Sequence, residues 1–336
     1  MYSIVYVLTD NENLKYYNDL IISIYSLRKR NFSGNVYILM DLDTKDIIEK
    51  LKPHELENYK AEVVVVDIPE KYETKAKKSR FIKTSMRKWV KGDFLYIDTD
   101  TVIADELPEV ISEYEIAQVP DVNSPFGEMS TRVQNYHIRL FNKCGYEPWK
   151  DDLLYFNSGV MWLKDTELVH KIFDGWHEKW MDYSENKGVM EDQPALNTTN
   201  REMGGVIQRL SDLYNVQVSG DPFPTKYIAD AKIIHYIHND PESTYILSTK
   251  QIDKSNIMDP IIQKVIEEPK IAFNPGTMLR VNRERENIML SKQYYYLNRM
   301  YNAYPRLFKF REKYITCLLK VWKLIHKVIR KLSFTK

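Results

Sequence analysis

The chain has 336 residues, enough to bury one large core, and its 48 Lys and Arg against 47 Asp and Glu leave a formal net charge of +1. That balance offers no argument for nucleic-acid binding. Two cysteines, Cys144 and Cys317, exclude a disulfide framework and fit a reducing compartment. No run of about 18 apolar residues is present, so no helix is expected to span a membrane. The opening segment, MYSIVYVLTD, turns acidic without a basic lead-in, so it is not expected to act as a secretion signal.

Strands and helices alternate from the start. Ser3–Leu8 is a β-branched and aromatic run that ends at Thr9-Asp10-Asn11. Leu20, Ile21, Ile24 and Leu27 recur at helical spacing. Val36–Met40 reads as a second strand, and Thr44 is expected to cap a helix running to Leu56. Residues 63–66 form a third strand, 79–90 a helix, and Phe94–Ile97 a fourth strand. This alternation predicts a parallel sheet with helices on both faces, whose ligands bind at the carboxyl ends of the strands.

The later half is less regular. Residues 115–119 read as a strand ending in Pro120-Asp121. Pro125, Gly127, Gly145 and Pro148 make 122–152 a loop or a set of short helices. Phe156–Leu163 is a further strand. Val169, Ile172, Phe173, Trp176 and Trp180 form the core stripe of a helix over 166–181. A loop follows at 219–230, and a short strand at 233–236.

The stretch Asp93-Phe94-Leu95-Tyr96-Ile97-Asp98-Thr99-Asp100 carries the most chemistry. Side chains of a strand alternate, so Asp98 and Asp100 should project together. Two carboxylates that close repel unless a cation lies between them, and oxygen ligands suit Mg²⁺ or Mn²⁺. Sugar-nucleotide transferases use Asp-x-Asp after a strand to hold a metal against a diphosphate.

Four segments in order resemble glycosyltransferase family 8, the family of glycogenin, galactinol synthase and bacterial lipopolysaccharide glucosyl- and galactosyltransferases. They are Ile97-Asp98-Thr99-Asp100, Tyr155-Phe156-Asn157-Ser158-Gly159-Val160, Glu191-Asp192-Gln193-Pro194-Ala195-Leu196-Asn197 and Ile234-His235-Tyr236. The resemblance spans roughly residues 1–245. It implies a single GT-A-like, α/β nucleotide-binding domain with a mainly parallel sheet, followed by a helical or irregular extension over 246–310. It implies Asp98, Asp100 and His235 as ligands of Mn²⁺ (or Mg²⁺), the imidazole tilting the choice toward Mn²⁺. Arg80 stands where the family has an arginine that contacts the donor. Thr9, Asp10, Asp121 and Asn157 fall on the donor side, with a turn-forming role open for Asp121 and a backbone carbonyl as an alternative partner for Asn157. Asp192 and Gln193 would face the anomeric carbon, with a helix N-cap as the alternative for Asp192. Lys83 and Arg87 share a helical face with Arg80 and would meet phosphates or simply solvent.

One departure stands out. Where the family often has a lysine that neutralises the leaving diphosphate, this chain has Pro241, and His238 replaces a glycine. The lysine's role is vacant or moved to another residue.

At the C-terminus, Ile315, Leu318, Trp322, Ile325, Ile329 and Leu332 follow helical spacing, with Lys320, Lys323, Lys327 and Arg330 opposite. Over 311–336 this is the pattern of a helix lying on an anionic membrane surface; packing on the domain is the alternative. The combined expectation is a metal-dependent retaining glycosyltransferase that moves a hexose from a UDP-sugar to a glycan or lipid-linked saccharide, cytoplasmic or peripheral on the cytoplasmic face of a bacterial membrane. A sugar nucleotidyltransferase and a degenerate, non-catalytic glycan-binding scaffold are the alternatives; residues 1–33 lack the glycines of a nucleotidyltransferase phosphate loop.

Overall fold

A computed structural model describes residues 2–149, 153–218, 223–237, 259–273, 296–297, 299–300 and 303–333. The chain forms two compact units, Met1–Asn274 and Pro275–Lys336.

The first unit is α/β and built on a mainly parallel sheet. Its strands are β1 (Ser3–Leu8), β2 (Val36–Met40), β3 (Ala61–Val65), β4 (Phe94–Ile97), β6 (Ile116–Pro120), β7 (Phe156–Leu163) and β8 (Gln208–Arg209). They lie in the order β3-β2-β1-β4-β7-β6-β8. β3, β2, β1 and β4 run parallel, and β7 runs antiparallel to both β4 and β6. A second, three-stranded sheet joins β5 (Thr101–Ile103), β10 (Ile233–His235) and β9 (Val216–Gln217) in that order.

Strand alternation divides the core into two layers. Val5, Val7, Phe94 and Tyr96 face α4 (Lys75–Ser85) and α6 (Glu167–Lys187), where Ile82, Trp176 and Trp180 are buried with them. Ile4, Tyr6, Leu8, Leu95 and Ile97 face α1 (Lys15–Lys29), which contributes Tyr17, Leu20, Ile21, Ile24 and Leu27. Trp176 and Trp180 are fully buried, which confirms the expected core stripe. Removing either ring would cost about 3–5 kcal/mol.

Several local expectations change. Thr44 lies inside α2 (Leu42–Leu51) rather than at its cap, and its hydroxyl accepts the Asp10 N–H at 3.0 Å. The helix ends at Leu51, and a separate short helix α3 (Glu55–Asn58) follows. α4 begins earlier than its apolar pattern suggested, because the Thr74 hydroxyl caps the Lys77 N–H. A 14-residue helix, α5 (Thr131–Cys144), occupies the stretch read as loop or short helices. Ser130 caps its start, Gly145 ends it at φ 78°, and His137, Leu140, Phe141 and Cys144 form its buried face. After α7 (Gln193–Glu202), the helices α8 (Pro260–Glu267) and α9 (Pro269–Ala272) complete the unit. α8 is tied to α1 by Tyr25 donating to Gln263 and Arg30 donating to the Ile266 carbonyl.

The second unit includes the long helix α10 (Pro305–Ser333). Along it Phe310, Tyr314, Leu318 and Trp322 are exposed. No described helix is long and apolar enough to cross a membrane.

α4 is pinned to α6 by a buried contact, Thr84 Oγ1 to His177 Nδ1 at 2.7 Å. Burial first, and then the Lys88 charge, lowers the His177 pKa from 6.5 to about 4. The folded imidazole is therefore neutral where the unfolded one is protonated. Stability should fall as pH drops from about 6.5 toward 4, by roughly 3 kcal/mol from this group. Denaturation of wild type and His177→Phe at pH 7 and pH 4.5 checks this; the variant should lose less stability on acidification.

Candidate active site

β4 is buried along its whole length and delivers Asp98 and Asp100 to its carboxyl end. The Asp98 N–H donates to the Gly159 carbonyl at 2.7 Å, fixing the turn against β7. The Asp98 carboxylate accepts from Lys83 Nζ on both oxygens, at 2.9 and 3.2 Å, and from the Tyr96 hydroxyl on Oδ1. Asp100 Oδ1 lies 3.2 Å from His235 Nε2.

His235 reaches this place through strand register. β10 pairs antiparallel with β5, setting His235 opposite Thr101, and the Tyr236 N–H donates to the Asp100 carbonyl. The ring's other nitrogen, Nδ1, lies 3.1 Å from Asn215 Oδ1. Asn215 Nδ2 donates to Asn157 Oδ1 at 3.0 Å, which orients the amide so that its oxygen faces the ring. Nδ1 must then carry the proton, and Nε2 is the nitrogen turned toward Asp100.

Ligand atoms of Asp98, Asp100 and His235 lie within 4.8 Å of one another. Two carboxylates and a tautomer-fixed imidazole fit a divalent cation such as Mn²⁺. Burial lowers the His235 pKa, but Asp100 and then Asp98 outweigh it and the net shift is upward, so a cation at Nε2 competes with a proton.

A chain of hydrogen bonds extends behind the cluster. Asn157 Nδ2 donates to Asp121 Oδ1 at 2.8 Å, and Asp121 Oδ2 pairs with His137 Nε2 at 2.9 Å. Asn157 Oδ1 also accepts the Gly159 N–H at 2.8 Å. The partners of this polar residue in an apolar strand are thus Asp121, Asn215 and the Gly159 N–H. Burial raises the Asp121 pKa, but the bonds from His137 and Asn157 outweigh it and hold the carboxyl below its usual value.

Arg80 joins a second group to the site. Its Nε lies 3.0 Å from Asp192 Oδ1, and Ser158 Oγ donates to Asp192 Oδ2 at 2.9 Å. Asp192 stands at the N-cap of α7 yet makes no side-chain cap bond. Burial raises its pKa, and Lys83, Arg80 and Ser158 together reverse that, keeping it ionised. Gln193 opens α7. Its carbonyl accepts from Asn197, and no hydrogen bond holds its side chain among the described residues.

Thr9 donates to the Lys75 carbonyl at 3.0 Å. Asp10 accepts the N–H groups of Tyr17 at 2.7 Å and Asn11 at 2.8 Å, so its carboxylate anchors the start of α1. Thr9, Tyr16, Lys75, Arg80, Asp98 and Asp100 all line one cavity of about 360 Å³ at the carboxyl ends of β1 and β4. Asp10 lies behind this lining. His238 and Pro241 fall outside the described residues.

Lys83 and Arg87, for which the sequence left a solvent-facing role open, are both buried at 2% exposure. They diverge: Lys83 meets Asp98, while Arg87 lies over the Phe94 ring and binds the carbonyls of Val90 and Gly92. Tyr96, Asn215, Ser158 and Gly159 were not singled out from sequence for these contacts. Ser158 and Gly159 lay in a segment quoted for the family resemblance, Tyr96 had a local signal in standing two residues before Asp98 on one strand face, and Asn215 had none.

No protein-family model matches this sequence, and a search of curated proteins finds no match. Solved structures with a similar course of chain include mouse xyloside xylosyltransferase 1, at 17% identity over 71% of this chain and 99% of that one, with a TM-score of 0.47. Another is the WbbM bifunctional glycosyltransferase, at 14% identity over 78% of this chain and 51% of that one, TM-score 0.48. A third is the galactosyltransferase LgtC in complex with donor and acceptor sugar analogues, at 14% identity over 79% of this chain and 95% of that one, TM-score 0.49.

Gly159 gives a direct test of the cluster. A Cβ there would lie 2.5 Å from His235 Cε1 and 2.8 Å from both His235 Nδ1 and Asn157 Oδ1. Gly159→Ala should displace the ring and weaken Mn²⁺ binding by about 10- to 100-fold, the scale of lost support around a metal ligand. Calorimetric titration with MnCl₂ measures this; an unchanged affinity would remove His235 from the ligand set.

Proposed function

We propose that this chain is a metal-dependent, retaining glycosyltransferase that moves a hexose from a UDP-sugar to a glycan or lipid-linked saccharide. The observation that carries the reading is the convergence of Thr9, Arg80 and the Asp98–Asp100–His235 cluster at the carboxyl ends of β1 and β4. In open α/β sheets that edge is where nucleotides bind. A divalent cation held by Asp98, Asp100 and His235 would serve as a Lewis acid toward the leaving diphosphate.

The chain's own groups have distinct tasks in this reading. Tyr16 offers an aromatic face for the base beside Lys75, and Thr9 lines the same wall. Arg80 has Nε committed to Asp192, which leaves its terminal nitrogens to meet a phosphate. Asp192, held by Arg80 and Ser158, orients that guanidinium. The Gln193 side chain, next to Asp192 and with no hydrogen bond among the described residues, would meet the donor sugar or the incoming acceptor. A carboxylate engaged twice makes a poor nucleophile, which favours front-side attack with retention over double displacement. Asp121 and Asn157 hold the supporting hydrogen bonds that align His235.

A donor-hydrolysis screen of UDP-, GDP-, CDP- and dTDP-sugars with Mn²⁺ tests the reading. UDP release is expected from a UDP-hexose, and an α-linked donor should give an α product by NMR. Asp98→Asn and Asp100→Asn should each lower turnover about a hundredfold. Full activity of Asp100→Asn in excess EDTA would sink the metal-dependent reading.

The exposed apolar residues of α10, with lysines on the other face of the sequence pattern, favour a membrane-surface role for residues 311–336. This would put the enzyme on the cytoplasmic face of the membrane, beside a lipid-linked acceptor. Deleting 311–336 should abolish sedimentation with anionic vesicles while turnover of a soluble acceptor stays near wild type. Lys323→Glu with Lys327→Glu, or raised salt, should weaken vesicle binding in the same way.

A further inference from the structure

Lys83 is a buried charge beside the cluster to which the proposed chemistry gives no task. Its side chain is 3% exposed, and its ammonium contacts both oxygens of Asp98. The Tyr96 ring lies 5.1 Å from Nζ. Its stem is fixed, because Phe81, Ile82, Thr84 and Ser85 around it on α4 are also buried, and Thr84 is held by His177. The ammonium is thus held against Asp98 from a buried position.

We propose that Lys83 is a resident counter-cation that makes binding of the divalent metal depend on the nucleotide diphosphate that enters with it. The inference deepens the glycosyltransferase reading and rests on it for the identity of the diphosphate. Among the described residues in contact with the cluster, two cations, Arg80 and Lys83, face three carboxylates, Asp98, Asp100 and Asp192, while Lys75 in the same cavity is matched by Asp10. With His235 neutral, one negative charge remains. A divalent cation alone turns that into a positive charge in a partly buried place, where charge is screened less than in open water. A diphosphate arriving with it restores the negative balance. Without Lys83 the same groups would carry two negative charges, which a divalent cation neutralises by itself.

The hydrogen bonds at Asp98 are compatible with both partners. Among the described residues, Oδ1 receives Lys83 and Tyr96, whereas Oδ2 receives Lys83 alone and keeps a lone pair for a metal. Lys83 thus lowers metal affinity without blocking the ligand atom. By linkage, metal must strengthen diphosphate binding by the same factor as diphosphate strengthens metal binding.

Calorimetric titration of Mn²⁺ into the full-length protein, with and without saturating UDP, tests this in wild type, Lys83→Met and Lys83→Arg. Wild type should bind Mn²⁺ weakly alone and at least about tenfold more tightly with UDP, within the usual range of coupling between sites. Lys83→Met should bind Mn²⁺ alone about tenfold more tightly, with most of the UDP effect gone. Lys83→Arg, which keeps the charge, should retain the wild-type pattern. A folded Lys83→Met that binds Mn²⁺ no more tightly than wild type overturns the proposal. Should that variant fail to fold, the wild-type titration decides, since equal Mn²⁺ affinity with and without UDP also overturns it. Failure of UDP to bind at any Mn²⁺ concentration would instead overturn the donor assignment, while the comparison with Mn²⁺ alone still decides the role of Lys83.

Discussion

Two carboxylates of like charge leave the end of β4 one residue apart, and the surrounding structure is arranged to hold them there. Asp98 is met by Lys83 and Tyr96, and Asp100 by His235. Each partner comes from a different element: α4, β4 itself and β10. The central strand can end in concentrated negative charge only because a helix on one face and a second sheet each deliver a cationic or polar group to it.

The segment Asn157-Ser158-Gly159 shows how closely the supporting groups are packed. Asn157 ties Asp121 to Asn215, and through Asn215 sets the His235 tautomer. Ser158 holds Asp192, and with it Arg80. Gly159 gives its carbonyl to Asp98 and leaves room for the imidazole. Three consecutive residues on β7 thus serve three different aspartates, two through their carboxylates and Asp98 through its backbone N–H. Strand alternation makes this possible by sending neighbouring side chains to opposite faces, while the glycine acts through its backbone. Polar groups joined in this way are rigid, since a displaced member would leave buried partners unsatisfied.

The two-layered core explains the placement of α4. Its apolar face packs on β1 and β4 beside α6, with Ile82 and Met86 among Trp176 and Trp180. That packing fixes the height of Arg80 and Lys83 along the helix, three residues apart and therefore neighbours on its surface. One cation reaches Asp192 and the other Asp98. Packing energy from large aromatic side chains thus holds two charges at the site, and the burial of Lys83 depends on the carboxylate opposite.

The sequence by itself determined the strands that carry the sheet. β1, β2, β4 and β7 occur at the expected residues; the first three are short, almost continuously apolar runs between polar breakers, and β7 is marked by its apolar half, Val160–Leu163. The position of Asp98 and Asp100 at a strand end followed from the same pattern. Tertiary structure decided the rest. α5 was obscured by Pro125, Gly127 and Pro148, although Ser130 and Gly145 bound it as start and stop. β5, β8 and β9 are two or three residues long and exist through their pairing partners, which no local pattern reveals. Burial of Lys83 and the part played by Asn215 depend on groups 15 and 20 residues away in the chain. A lysine on a helix reads as solvated until the fold sets a carboxylate against it, because whether a charge is buried is a property of its partner and not of its neighbours in sequence.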